Sequence, residues 1–132
     1  MHIILITPAP AGSRAGNRAT AERWADLLER EGHRVNIVTV YQDEPCDLFI
    51  ALHAWRSHQA LKGFRAKYPD TPMIVALTGT DIYDYQYRYP RETLSSMTLA
   101  DCLIGLHRRV KLDIPEQFTE KLVTVLQSAE AP

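Results

Sequence analysis

The chain has 132 residues, of which 45% are hydrophobic and 23% are charged, and this composition is typical of one globular domain with its own core. Fifteen basic and sixteen acidic side chains give a formal net charge of −1, which argues against a general nucleic-acid-binding surface. Two cysteines, Cys46 and Cys102, are too few for a disulfide framework, and no apolar stretch approaches the ~20 residues of a membrane span. We therefore expect a cytoplasmic protein with no nucleic-acid or membrane partner.

The opening segment predicts a strand, a loop and a helix in that order. Residues 3–7 form an apolar run too short for a buried helix, which is typical of an inner strand of a parallel sheet. A loop rich in Pro, Gly and Ser follows, and a helical pattern begins near Thr20 and stops at Gly32. Residues 35–40 predict a second strand, so the opening is a βαβ unit. The apolar face of its helix is predicted to contain Ala21, Trp24, Leu27 and Leu28.

The same alternation of strands and helices continues along the chain. Further strands are predicted over 47–52, 73–77, 101–106 and 122–126, and helices over 54–68, over 91–99 with Pro90 in the first turn, and near 115–120. The tyrosine-rich segment 82–89 fits a short helix or an ordered loop, and its tyrosines fit half-buried packing or an edge that meets another domain. These elements predict an α/β fold, a three-layer Rossmann-like sandwich around a mostly parallel sheet of about six strands.

Ligands of such folds gather beyond the carboxyl ends of the strands. Three predicted loops meet that condition: residues 8–18, 53–57 and 78–81. We therefore expect these loops to face one crevice.

The loop after the first strand is the leading candidate site. A helix N-terminus offers unpaired N–H groups and partial positive charge, and a glycine loop there brings the donors close to a phosphate. Arg14 and Arg18 add donors suited to an oxyanion. The spacing of Gly12 and Gly16 matches neither the dinucleotide fingerprint nor the P-loop, so an NAD domain is a weak alternative. The same glycines also fit a plain turn in which Asn17 caps the helix.

The other two loops offer polar groups at strand ends. His53 could donate to a ligand or hold a proton near neutral pH, or it could be a packed residue beside a tryptophan. Thr78, Gly79 and Thr80 suit a sugar or phosphate, or they form a turn in which Thr80 or Asp81 caps a helix. The sequence contains no motif for a metal site or a covalent nucleophile, so we predict no metal ligands.

Several segments together resemble one enzyme family. They are the opening I-T-P-A-P-x-G-S-R-x-G-N-R, Gly32-His33-x-Val35, LHAWRS at 52–57, ALTGTDIY at 76–83, LADCLIGL at 99–106 and the final KLVTVLQSAEAP. This set resembles the N-terminal half of a GT-B glycosyltransferase of family 4. More narrowly, it resembles the selenosugar synthases of the selenoneine pathway, which join selenophosphate to the sugar of a UDP-N-acetylhexosamine.

The resemblance implies a domain organisation. Two Rossmann-like domains face each other across a cleft in that family, and a Glu-x7-Glu motif of the C-terminal domain contacts the nucleotide sugar. The printed sequence lacks that motif. By this comparison residues 1–126 are the acceptor-side domain, residues 127–132 begin the interdomain linker, and the isolated domain is inactive.

The resemblance also implies roles for single residues. The first loop would lie against the donor diphosphate and a small anionic acceptor through Gly12, Ser13, Arg14, Gly16, Asn17 and Arg18. His53 would be the catalytic residue that leans over the transferred sugar. The acceptor side would be lined by Thr78, Gly79, Thr80 and Asp81. Retaining members of the family use a UDP-sugar as substrate with no metal and no cofactor.

A second hypothesis belongs to another functional class. The chain would then be a stand-alone α/β module that binds a small phosphorylated ligand without catalysis.

Overall fold

A computed structural model describes residues 1–8, 16–78, 81–106 and 108–125. Six strands form one sheet: β1 (His2–Ile6), β2 (Arg34–Val38), β3 (Leu48–Leu52), β4 (Met73–Leu77), β5 (Cys102–Gly105) and β6 (Leu122–Thr124). Their order across the sheet is β2-β1-β3-β4-β5-β6, and every neighbouring pair is parallel. The predicted α/β sandwich with a parallel six-stranded sheet is therefore confirmed.

The strand order reverses once, at β1. Leu5 of this strand pairs with Ile37 of β2 on one side and with Ile50 of β3 on the other. The loops that leave β1 and β3 therefore start side by side at the carboxyl edge of the sheet. A reversal of this kind is where α/β sheets open a crevice for a ligand.

In the described residues, five α-helices connect the strands. They are α1 (Gly16–Arg30), α2 (His58–Lys67), α3 (Gln86–Arg88), α4 (Pro90–Leu99) and α5 (Val110–Asp113), with a π-helical turn at Asp81–Tyr85 and a 3₁₀ helix at Glu116–Lys121. α1 packs on one face of the sheet, whereas α2, α4 and α5 share a core with the other face. Two helical layers thus enclose the sheet.

The sequence of strand β3 is an uninterrupted run of apolar residues, and the packing of the strand explains why. Phe49 and Ala51 belong to the core on the α2 side, whereas Ile50 and Leu52 belong to the core on the α1 side. Phe49 stacks on Phe64 of α2 with ring centroids 4.4 Å apart. Because both faces of the strand are buried, no polar residue alternates with the apolar ones.

The boundaries of two helices differ from the prediction. α1 begins at Gly16 rather than near Thr20, and α2 begins at His58 rather than at residue 54. Residues 54–57 form a turn instead, in which the Ser57 hydroxyl donates to the Leu52 carbonyl over 2.7 Å. This bond holds the chain against the end of β3, so α2 begins only at His58.

The buried face of α1 was also predicted with one wrong residue. Leu27 is 50% exposed, whereas Ala25 is buried. Ala21, Ala25 and Leu28 follow the i, i+4, i+7 spacing of one helical stripe, and Leu27 lies well outside that stripe. The predicted end of this helix is confirmed, because Gly32 follows it with a φ of 95°.

The previously unassigned segment is helical. Residues 81–88 form the π-helical turn and α3, and α4 then starts with Pro90 in its first turn, as predicted. The short helix α5 was missed, because the sequence there reads as a polar turn. Within the part of the chain that the structure describes, no helix is long and apolar enough to cross a membrane.

One apolar groove remains on the α1 side of the sheet. It encloses about 320 Å³ between Trp24 and Leu28 of α1 and the side chains of Leu48, Ile74 and Ile104 on three strands. These side chains are partly buried, because α1 packs mainly on β1 and β2.

Candidate functional site

The first candidate loop is described only at its two ends. Gly12, Ser13 and Arg14 lie outside the described residues. Gly16 is the first residue of α1, so Asn17 lies inside the helix and the interpretation of Asn17 as its N-cap is wrong. Arg18 lies in the first turn, where its Nε donates to Glu22 Oε2 over 2.9 Å and its side chain is 12% exposed. The guanidinium is therefore held at the N-terminal end of α1.

His53 ends strand β3 in an unusual backbone conformation. Its φ is 81°, a left-handed value that costs a non-glycine residue of the order of 1–3 kcal/mol. The His53 N–H donates to the Ala76 carbonyl of β4 over 3.0 Å, and its Nδ1 accepts from the Arg56 N–H over 3.1 Å. These bonds hold the strained residue in place and turn the chain sharply at the carboxyl edge of the sheet.

The His53 imidazole is neutral at pH 7. It is only 1% exposed, and this burial lowers its pKa below the ordinary 6.5, while nearby Asp81 acts in the opposite direction. Nδ1 accepts the Arg56 N–H, so the neutral ring carries its proton on Nε2. His53 lies where the sequence predicts it, at a strand end, and its catalytic role stays a prediction.

Asp81 joins the second candidate loop to the third. Its carboxylate is completely buried; Oδ2 accepts from the N–H groups of Ala54 over 3.0 Å and Thr78 over 3.2 Å, and Oδ1 accepts from Ile82 over 2.9 Å. The bond to Ile82 joins adjacent residues, whereas a capping side chain accepts from the second or third N–H of its helix, so the capping role of Asp81 stays a prediction. One side chain thus connects the ends of β3 and β4. Contact of Asp81 and Thr78 with a ligand stays a prediction, and Gly79 and Thr80 lie outside the described residues.

An aromatic cluster borders these loops. The indole of Trp55 stacks on the rings of Tyr85 and Tyr89, with centroid distances of 4.6 Å and 4.7 Å. The guanidinium of Arg56 lies 5.7 Å from the indole, and its Nη2 donates to the Tyr85 hydroxyl over 3.2 Å. Tyr87, by contrast, is 71% exposed. The tyrosines that cluster are spaced i, i+4, the spacing of one helical face.

Sequence reasoning missed this cluster. Trp55 falls within the helix predicted over 54–68, whereas it lies half-buried in the turn before α2. Its partners come from the segment that the sequence left unassigned. The i, i+4 spacing of Tyr85 and Tyr89 was the available signal. Tyr85 is half-buried, as one interpretation expected, whereas Tyr89 is 38% exposed.

Two adjoining cavities open at this edge of the sheet. The larger, about 630 Å³, is lined by Pro8, Trp55, His58, Tyr89 and Glu92 among others. The smaller, about 340 Å³, is lined by Ile6, Tyr41 and Ala60 among others. Thr39, Arg56 and Gln59 line both. The first residue of the loop after β1 therefore borders the same crevice as the turn after β3.

His58, the first residue of α2, brings an unsatisfied polar atom to this crevice. Its Nδ1 is buried and has no hydrogen-bond partner among the described residues. Burial lowers the pKa of His58 and neighbouring Lys62 adds to this, while Glu92 acts in the opposite direction. The imidazole is therefore neutral at pH 7.

No three His, Cys, Asp or Glu side chains of the described residues lie together as a potential metal site. Comparison of the chain with protein-family models gave no match, and comparison with curated proteins gave none either. A functional proposal therefore rests on the geometry of the crevice and on the resemblance of the sequence segments.

Proposed function

We propose that this chain is the acceptor-side, N-terminal domain of a retaining glycosyltransferase of the GT-B fold. It would act in the cytoplasm and transfer a sugar from a UDP-N-acetylhexosamine to a small anionic acceptor such as selenophosphate. The observation that carries the proposal is the convergence of the candidate loops. Pro8 borders the cavity that Trp55 lines, and Asp81 joins the turn after β3 to the end of β4.

In this proposal the chain positions the reactants and supplies no metal or cofactor. The loop from Gly12 to Arg18 approaches the donor diphosphate and the acceptor, where the N-terminal end of α1 favours negative charge. His53 leans over the transferred sugar as a neutral imidazole. Rate acceleration comes from orientation and from stabilisation of the departing UDP phosphate. A second domain, with the donor motif of the family, holds the nucleotide.

The test is a transfer assay with the natural protein that contains this chain. The protein is incubated with UDP-N-acetylglucosamine and selenophosphate, and UDP release and the selenosugar are measured by mass spectrometry. Arg14→Ala and Arg18→Ala are each expected to lower turnover at least tenfold, ~1.4 kcal/mol of transition-state stabilisation.

Glu22→Ala is the matched control for Arg18→Ala. It breaks the same ion pair and leaves the arginine in place. Turnover close to that of the wild type in this variant assigns the loss to the arginine itself. Unchanged turnover in both arginine variants would refute the role of the first loop.

A second candidate function has one observation in its favour. The larger cavity is lined by the cationic Arg56 and by the polar side chains of Gln59 and Thr39, which suit a phosphate. A stand-alone module that binds a small phosphorylated ligand would need no partner domain for such a site. Binding of glucose 1-phosphate by the 132-residue chain, with no sugar transfer by the natural protein, would favour this alternative.

A further inference from the structure

We propose that Trp55, backed by Tyr85 and Tyr89, forms a stacking platform for an uncharged, hydroxylated six-membered ring, the ring of a sugar. The inference rests on the proposed function, because it assigns a place to a sugar ring in the acceptor-side domain. Binding of a ring can nevertheless be measured without any transfer reaction. The platform would take either the transferred sugar of the donor or a sugar ring of an acceptor.

The two tyrosines of the cluster share one face of the indole, and the Arg56 guanidinium also lies close to it, 5.7 Å from the ring centroid. The centroids of Tyr85 and Tyr89 are 5.6 Å apart. Rings stacked on opposite faces of Trp55, at their observed distances of 4.6 Å and 4.7 Å, would lie almost twice as far apart. Both tyrosines therefore lie side by side on the same face of the indole. Trp55 is half-buried and lines the larger cavity, so we assign its other face to the ligand.

The platform is rigid before any ligand arrives. Stacking on two tyrosines fixes the plane of the indole, and the hydrogen bond from Arg56 to the Tyr85 hydroxyl fixes one of those tyrosines. A preorganised aromatic surface loses little conformational entropy on binding. The negative face of an aromatic ring attracts the weakly positive C–H groups that a saturated sugar ring presents on its flat side.

The rim of the cavity suits hydroxyl groups. It combines the cationic Arg56, the anionic Glu92, the amide of Gln59 and the hydroxyl of Thr39, and these come from different parts of the fold. The rim therefore contains both hydrogen-bond donors and acceptors. Such a mixture suits sugar hydroxyls, because each hydroxyl can both donate and accept a hydrogen bond. His58 also lines this cavity.

This distribution favours a sugar over a nucleobase. A base would also stack on Trp55, but its polar atoms lie at the edge of a flat aromatic ring and need partners in one plane. The rim groups here come from the residue after β2, from the start of α2 and from α4, so they surround the platform.

The test follows ligand binding by saturation-transfer NMR, which needs no tryptophan signal. The 132-residue chain is titrated with N-acetylglucosamine, with uridine, with UDP and with UDP-N-acetylglucosamine. We expect the free sugar to bind with millimolar affinity, Trp55→Ala to weaken binding about tenfold, and Tyr87→Ala, on the same segment but exposed, to leave it unchanged.

Two further variants keep the test decisive if Trp55→Ala does not fold, as judged by circular dichroism. Trp55→Phe keeps a smaller platform and is expected to weaken sugar binding about threefold, and Glu92→Gln removes one charge from the rim and is expected to weaken it by a similar factor. In the fluorescence of a Trp24→Phe variant, where Trp55 is the one remaining tryptophan, the sugar should change the emission.

The outcomes separate this inference from the proposed function. Loss of sugar binding in the Trp55 variants supports the platform even where the transfer assay fails. If UDP displaces the free sugar less well than UDP-N-acetylglucosamine does, the platform binds the sugar ring of the donor. If the free sugar binds equally well when UDP-N-acetylglucosamine is saturating, the platform binds the sugar ring of an acceptor. Sugar binding that is undetectable in the wild type, unaffected by the Trp55 variants, or fully blocked by uridine would overturn the inference.

Discussion

Replacement of Asp81 by asparagine keeps the shape of the side chain and removes its charge and one acceptor position. The carboxylate of Asp81 is completely buried and accepts, among the described residues, three backbone N–H bonds, two on Oδ2 and one on Oδ1. The single oxygen of an asparagine can replace only one of those two atoms. If it takes the place of Oδ2, its NH₂ group faces the Ile82 N–H, and that buried donor loses its partner.

The cost of this change follows from the bonds that are lost. A hydrogen bond to a charged group contributes about 1.5–3 kcal/mol, and an unsatisfied buried donor costs a similar amount. We therefore expect Asp81→Asn to lower the free energy of unfolding by about 2–4 kcal/mol, and Asp81→Ala, which removes all three bonds, by at least about 4 kcal/mol. These values are large against the ~5–15 kcal/mol that stabilises an ordinary domain.

The assay is urea unfolding at pH 7.5, followed by circular dichroism. A lower midpoint with an unchanged m value assigns the effect to stability rather than to compactness. Asp70→Asn is the control, because Asp70 is exposed in the turn before β4 and its replacement should change stability by less than ~0.5 kcal/mol. An Asp81→Asn variant as stable as this control would refute the structural role given to the carboxylate.

Two further predictions concern a close contact and the buried histidines. A Cβ at Gly105 would lie 2.9 Å from the Val110 Cβ, so Gly105→Ala should cost about 1–3 kcal/mol. Gly63→Ala in α2 meets no atom within 4 Å and should instead raise the melting temperature; similar melting temperatures for both variants would contradict this reasoning. Burial lowers the pKa of His53 and His58, so the unfolded chain binds protons first and the free energy of unfolding should fall as the pH drops below 6.5. The double variant His53→Asn/His58→Gln should flatten this profile in urea titrations, and a profile already flat in the wild type would exclude the effect.

The strands could be predicted because a buried strand of a parallel sheet has a short, continuous run of apolar residues. Strand β4 occupies residues 73–77, as predicted, and Pro90 starts α4 because its ring suits the first turn of a helix. The start of α2 was not predictable in the same way. Residues 54–57 have a helical pattern, but the bond of Ser57 to the Leu52 carbonyl keeps them in a turn.

The position of the candidate site could be predicted from the sequence, but the residues that line it could not. The strand-end location of His53 follows from the topology of a parallel sheet, which the apolar runs indicate. The aromatic cluster depends on the π-helical turn at Asp81–Tyr85, which sets the direction in which Tyr85 and Tyr89 meet Trp55. Contacts between residues 30 positions apart leave no local pattern in the sequence, so only the folded chain brings them together.

The strand order has a consequence for the way the protein is made. β3, β4, β5 and β6 lie side by side in the order in which they occur in the chain, and each strand from β4 onward pairs with the strand before it. During translation, every new strand from β4 onward meets an open parallel edge formed by residues that have already left the ribosome. The sheet can therefore grow in one direction as the chain emerges, and no strand from β4 onward has to be inserted between two others.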